Sequence, residues 1–376
     1  MPKVLFVATV VREHINVFHV PFLKLFKDKG WETAVAAKND YFENPESCII
    51  PYCDQYYDIP FERNPLNRRN ITAYRKLKEL IQTEHYDIIH CHTPVGGMLT
   101  RIAAKEARMN GTRVIYTAHG FHFYDGAPLK NWLLYYPVEK FLSRFTDTLI
   151  TINSQDYRRA KKFKAKEAKL VPGVGIDRGV FSFNGSKKSD IINEFGIDSD
   201  TFVISTVGEL IKRKNYLTLL SIMEKLKSEK VVCLICGRGV MQDELEKYVK
   251  LHNMQDYVKF LGFRSDVARI LKGSDLFVFT SFQEGLPVAV MEAMGCGKPI
   301  VASNIRGNAD LVSDGVNGYL LSPTDVDGYV KKISFLKNNP SVMHLMGMKS
   351  SEMIDPFIIE NVINEMKEIY FSVSSR

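Results

Sequence analysis

The densest set of chemically useful residues lies between Ser281 and Pro299, where Glu284 and Glu292 are separated by seven residues. Apolar residues up to Thr280 read as a strand, and the polar turn after it holds Glu284 and Gly285. Pro287 suits the first turn of a helix, whose missing amide hydrogen costs nothing there. That helix would run to a glycine stop around Gly295. The amides of Gly285, Leu286 and Val288 would then point outward as a positive pocket for phosphate oxygens. Glu284 stands just before the pocket and Glu292 two turns beyond it. One carboxylate can reach a group beyond the phosphate, and the other a ribose diol.

Other motifs carry less. Gly237-Arg238-Gly239 follows a strand and precedes a helix, which is half of a dinucleotide fingerprint. It signals a close backbone approach, to phosphate or within a tight turn. The first strand is followed by Thr9-Val10-Val11-Arg12-Glu13-His14, with no glycine-rich loop, and no Walker-type loop occurs. Nicotinamide chemistry and P-loop nucleotide hydrolysis are therefore not expected. His90, His92, His119 and His122 could gather at strand ends, but no Cys or carboxylate has ligand spacing around them, so no metal site is expected. Cys233 and Cys236 fall inside an apolar strand, on opposite faces, which opposes a redox pair or a zinc knuckle.

These residues need a scaffold. A chain of 376 residues exceeds what one hydrophobic core supports, so two domains are expected. Six scattered cysteines do not make a disulfide framework and fit a reducing cytoplasm. No apolar run approaches a membrane span, and the opening apolar segment reads as a buried strand. Short apolar strands (Val4–Thr9, Thr33–Ala37, Asp87–Cys91, Val114–Thr117, Thr148–Ile152) alternate with helical segments. The pattern restarts with Phe202–Val207, Val231–Cys236, Val258–Leu261, Leu276–Thr280 and Pro299–Ala302. Such alternation implies an α/β protein with two doubly wound parallel sheets. The expected division is a first domain over 1–175, a linker over 176–200 including the polar run Asn184–Asp190, and a second domain over 201–355. A last helix over 356–373 is expected to fold back on the first domain.

Charge is uneven. Residues 1–175 hold 26 Lys+Arg against 18 Asp+Glu, and residues 176–376 hold 24 against 25. The basic half calls for an anionic partner: nucleic acid, a phospholipid surface or a phosphorylated substrate. The run Arg158 to Lys166 lacks interleaved aromatics, so nucleic acid is not expected. Between Leu129 and Phe145, aromatic and aliphatic residues alternate with Lys130, Lys140 and Arg144. That mixture suits a helix lying among anionic headgroups, although a core helix explains most of the apolar positions equally well.

The ordered motifs resemble retaining glycosyltransferases of family 4, which have the GT-B fold of two Rossmann-like domains facing across a cleft. Glu284 and Glu292 look like that family's E-x7-E element. Gly208 to Asn215, Gly262-Phe263-Arg264 and Gly315 to Leu320 resemble its phosphate, base and turn segments. Asp87 to Gly97, Tyr116 to Phe123 and Asn131 to Pro137 are similar to members that build bacterial capsules and exopolysaccharides. The likeness covers nearly the whole chain.

The resemblance implies a retaining transfer from a nucleotide sugar, with UDP expected, to a saccharide carried on polyprenyl diphosphate. It implies no cofactor and no metal. Lys214 would clamp the diphosphate with the Gly285–Val288 backbone. Family members pair that lysine with an arginine where this chain has Glu209, so Arg213, or else Lys212, would compensate. Glu292 would hold the ribose and Glu284 the donor sugar. Arg264 would flank the base, with Gly237 nearby. His119 would contact the donor sugar near the reacting carbon, while Arg12, His14 and His122 would serve the acceptor or phosphate side. The protein would work in the cytoplasm, peripheral to the inner face of the membrane. The alternative is a GT-B enzyme acting on soluble sugar phosphates or nucleotide sugars.

Overall fold

A computed structural model describes residues 1–182 and 188–371, so part of the polar run at 184–187 and the end of the expected last helix at 372–373 lie outside the described residues. The chain divides into two compact units, Met1–Gly173 with Val362–Arg376, and Val174–Asn361.

The first unit is built on seven parallel strands: β1 (Lys3–Val10), β2 (Glu32–Lys38), β3 (Gln55–Asp58), β4 (Ile88–His92), β5 (Arg113–Ala118), β6 (Thr148–Thr151) and β7 (Glu167–Leu170). Their order across the sheet is β3-β2-β1-β4-β5-β6-β7. Both faces are covered, and alternate residues of β1 serve different cores. Leu5 and Val7 pack on one side with Leu77, Ile81 and Leu99. Val4, Phe6 and Ala8 pack on the other with Phe22, Leu23 and Phe26. The terminal helix Ile359–Phe371 adds Val362, Met366, Ile369 and Tyr370 to this second core.

The helix Pro94–Ala103 lies close against the sheet because Gly97 leaves room. A Cβ there would come within 2.4 Å of the Tyr116 ring. Four residues on, the fully buried Arg101 stacks 3.9 Å over the same ring. It donates to the Gly97 carbonyl at 2.9 Å and to Glu139 at 2.9 Å. This ties down the helix Leu129–Leu142.

The second unit has six parallel strands: β8 (Phe202–Val207), β9 (Val231–Cys236), β10 (Val258–Gly262), β11 (Leu276–Phe279), β12 (Ile300–Ser303) and β13 (Gly318–Leu321). Their order is β10-β9-β8-β11-β12-β13. Cys233 belongs to the core on one face and Cys236 to the core on the other.

Three strands escape the sequence pattern. β3 is a polar edge strand and β7 an edge strand of alternating charge, so neither shows an apolar run. β13 is hidden in a glycine-rich turn. Residues 188–200 are more than a connection. The helix Lys188–Phe195 and its sequel sink Ile191 and Ile197 into the core beside Val203 and Ile270. The burial of these two isoleucines outweighs the polar composition around them.

Candidate active site

Each sheet has a switch point, where strand order reverses and a crevice opens at the carboxyl ends. In the second unit it lies between β8 and β11. The segment after β8 makes a short turn over Lys212–Lys214, then places Asn215 in the left-handed region at φ 56°. Asn215 donates to the carbonyls of Thr280 and Pro323, at 3.0 and 2.8 Å, anchoring the turn beside the end of β11.

Lys214 Nζ consequently donates to Glu284 Oε1 at 2.8 Å and stands 4.8 Å from the Phe279 ring centroid. Arg213 donates to the Gln283 carbonyl at 2.7 Å and lies 3.1 Å from Glu284 Oε2. Glu284 is 7% exposed and is thus held by two cations. Burial lowers the Lys214 ammonium from its ordinary value, and Glu284 opposes that shift. Glu209 is exposed but close enough to favour the same charge. The two cations carry just one buried carboxylate between them, leaving positive charge to spare for an anion.

Glu284 is also fixed through its backbone. Arg306 donates to its carbonyl at 3.0 Å, and Ser303 Oγ donates to the Ser281 carbonyl at 2.6 Å. Arg306 is buried and escaped the sequence reading. Its only signal was its place just after a strand end. The helix proper runs Val288–Gly295, with Pro287 at the cap position. The amides of Gly285, Leu286 and Val288 make no backbone hydrogen bond among the described residues.

Glu292 lies on that helix without an ion pair among the described residues, and burial pushes its carboxyl up to about 7. The folded-state value exceeds the ordinary 4.5, so the protonated form favours folding. Stability is therefore complete below about 4.5 and is lost as pH rises towards 7. Glu292→Gln is expected to raise stability by about 1–3 kcal/mol at pH 8, with almost no gain at pH 4.5. Urea unfolding at the two pH values measures this.

Gly237 lies beside this site for a steric reason. Its φ is 152°, and a Cβ would fall 1.9 Å from the Gly208 carbonyl oxygen. The loops after β8 and β9 meet there. Arg264 is placed differently from a free base contact. It makes a two-pronged ion pair with Asp266 at 2.7 and 2.8 Å, and donates to Glu194 at 3.1 Å.

The switch point of the first unit lies between β1 and β4. His14 follows β1 in a turn of π-helix, His92 ends β4, and His119 follows β5. His119 Nε2 lies 3.4 Å from His92 Nδ1, and the His14 and His119 ring centroids are 5.0 Å apart. Burial pushes the His119 imidazole down to about 4, so the ring is neutral at pH 7. Arg12 presents its amide to Asp40 at 2.6 Å and its guanidinium to the Tyr41 ring.

The histidines that meet are not those expected. His122 stacks on Tyr135 at 4.6 Å, away from the group, because the segment after β5 is drawn under the helix Leu129–Leu142. His90 is satisfied by the Tyr370 and Thr117 hydroxyls, at 2.7 and 2.8 Å. The set that gathers is His14, His19, His92 and His119. Nothing in the sequence marked His19, the single residue between the helical turn Asn16–Phe18 and the helix Val20–Asp28.

Two sequence families match. Residues 187–353 match the family described as glycosyl transferases group 1, and residues 3–153 match glycosyl transferase 4-like. The chain is 38% identical over 375 residues to the EpsD protein of Bacillus subtilis (strain 168), covering 98% of this chain and 96% of that one. It is 30% identical to the UDP-Gal:alpha-D-GlcNAc-diphosphoundecaprenol alpha-1,3-galactosyltransferase of Escherichia coli, covering 81% of this chain and 82% of the relative. Among solved structures, Anabaena Alr3699/HepE in complex with UDP-glucose superposes with a TM-score of 0.80 at 20% identity, over 99% of this chain and 100% of that one. With two matching families, a full-length relative and two parallel-stranded α/β units, the chain belongs to the family 4 glycosyltransferases of the GT-B fold.

Proposed function

We propose that this enzyme moves a hexose or N-acetylhexosamine from a UDP-sugar to a saccharide on polyprenyl diphosphate, with retention of anomeric configuration. The observation that carries the reading is the pair of cations, Lys214 and Arg213, held over Glu284 beside amides without backbone partners. Leaving diphosphate gains negative charge as the glycosidic bond breaks, and fixed cations and amides answer that charge without reorganising. Glu284 stabilises the positive ring and orients its hydroxyls. Glu292 accepts from the ribose. His119 contacts the donor sugar near the reacting carbon, with Arg12 and His14 towards the acceptor. The leaving phosphate takes the acceptor proton. The second unit takes the nucleotide sugar and the first the acceptor. The name of the Escherichia coli relative, a transferase acting on a sugar diphosphoundecaprenol, supports the acceptor class.

The test is a panel of UDP-sugars offered with a synthetic polyprenyl-diphosphate saccharide and, separately, with free sugar phosphates. Transfer to the lipid-linked acceptor with the anomeric configuration kept is the expected result. Transfer to sugar phosphates alone would replace this reading by the soluble-substrate one.

A lipid acceptor calls for a membrane-facing surface, and the helix Leu129–Leu142 offers one. Trp132, Tyr135 and Tyr136 pack inward. Leu129, Leu133, Leu134, Val138 and Phe141 are exposed, the least of them by 44%. Lys130, Lys140 and Arg144 flank them on the surface. No helix among the described residues is long or apolar enough to cross a membrane. Binding to anionic vesicles is expected to fall by about tenfold or more in Leu133→Asp/Leu134→Asp, since each buried leucine contributes about 1.5–3 kcal/mol. Vesicle sedimentation at physiological salt measures it.

A further inference from the structure

His90 shows how a buried imidazole is ordinarily settled, with a hydroxyl at each nitrogen. Its neighbours are not settled. His14 Nε2, both nitrogens of His19 and His92 Nε2 are buried without a hydrogen-bond partner. Together with His119, these rings offer one nitrogen each within 4.8 Å of all the others. They come from the carboxyl ends of β1, β4 and β5, which are adjacent in the sheet, and from the residue before the helix Val20–Asp28.

The ring spacing fits a shared ion. An ion held by imidazole nitrogens at about 2.0–2.1 Å spaces the ring centroids about 5 Å apart. His14 lies 5.0 Å from His19 and 5.0 Å from His119. His92–His119, His14–His92 and His19–His119 are 5.6, 5.9 and 6.1 Å apart. The sixth pair, His19 and His92, is stacked at 3.7 Å and must open when an ion enters.

We propose that His14, His19, His92 and His119 form a binding site for one divalent transition-metal ion of the zinc class. Four imidazoles without a carboxylate suit zinc, cobalt, nickel or copper, and do not suit magnesium or calcium, which need oxygen ligands. Burial keeps all four rings in the neutral form that can ligate. Neutral ligands leave the ion its full charge, placed at the switch point of the first sheet. On the transfer reading above, the ion also fixes His119, but its binding does not depend on that reading.

The test uses the full chain without a histidine tag, stripped with chelator and titrated with Zn²⁺ and Co²⁺. One equivalent is expected to bind, with cobalt giving visible ligand-field bands and zinc raising the melting temperature. X-ray absorption of the zinc form should show at least three imidazole ligands. His19→Gln and His92→Gln should each weaken binding by about a hundredfold, while His344→Gln, on the exposed surface, should leave it unchanged. If the cluster variants do not fold, the wild-type absorption spectrum decides alone. No uptake at micromolar metal, an oxygen-only shell, or unchanged affinity in folded cluster variants would overturn the site.

Discussion

Lys214→Ala is expected to lower sugar transfer by about 10²–10³-fold, the loss typical when one donor is removed from a site that answers developing charge. The ammonium is fixed by three features: it is 13% exposed in its side chain, it pairs with Glu284 at 2.8 Å, and it lies over the Phe279 ring. Arg213 cannot replace it in full, since its side chain is 40% exposed and partly committed to the Gln283 carbonyl. On the proposed transfer, the fall should appear in kcat and in UDP affinity, because diphosphate would be bound in the ground state and charged further in the transition state. Steady-state kinetics and calorimetry with UDP separate the two. Melting curves must accompany them, as Glu284 loses a partner. A variant that stays folded and transfers within about threefold of wild type would remove Lys214 from the diphosphate site.

The largest effect on stability is expected at Arg101. Arg101→Ala should cost about 3–5 kcal/mol, because it strands Glu139, only 14% exposed in its side chain, without its cation. The Tyr116 hydroxyl, 3.4 Å from Glu139, cannot neutralise it. Against a total stability of about 5–15 kcal/mol, this loss threatens the fold. Replacing both partners, as Arg101→Met with Glu139→Leu, should recover most of it, since an apolar pair leaves no charge behind. Chemical denaturation of the single and double variants tests this. Equal losses in both would mean that the stacking on Tyr116 matters more than the charge. The single variant should also weaken vesicle binding, because the same ion pair holds the helix Leu129–Leu142 against the sheet.

The α/β class and most central strands were legible because burial on both faces demands continuous apolar runs. Edge strands β3 and β7 face water on one side and carry no such signal. Local order also made the segment around Glu284 readable: Glu284, the turn and the helix to Glu292 lie within a few residues. What could not be read was Arg306, which reaches Glu284 from the loop after the neighbouring strand β12, or Arg264, which spends its charge on Asp266 and Glu194. The histidine set shows the same divide. Short spacing suggested His90, His92, His119 and His122, but hydroxyl partners claimed His90 and an aromatic stack claimed His122.

Composition and hydrophobic period were enough to establish two parallel sheets, and the motifs around Glu284 a strand, a turn and a helix, because each depends on neighbours along the chain. The meeting of His14 and His19 with His92 and His119, and of Lys214 with a carboxylate 70 residues away, came only with folding. Strand order governs those encounters, since crossover connections bring the ends of distant strands into one crevice.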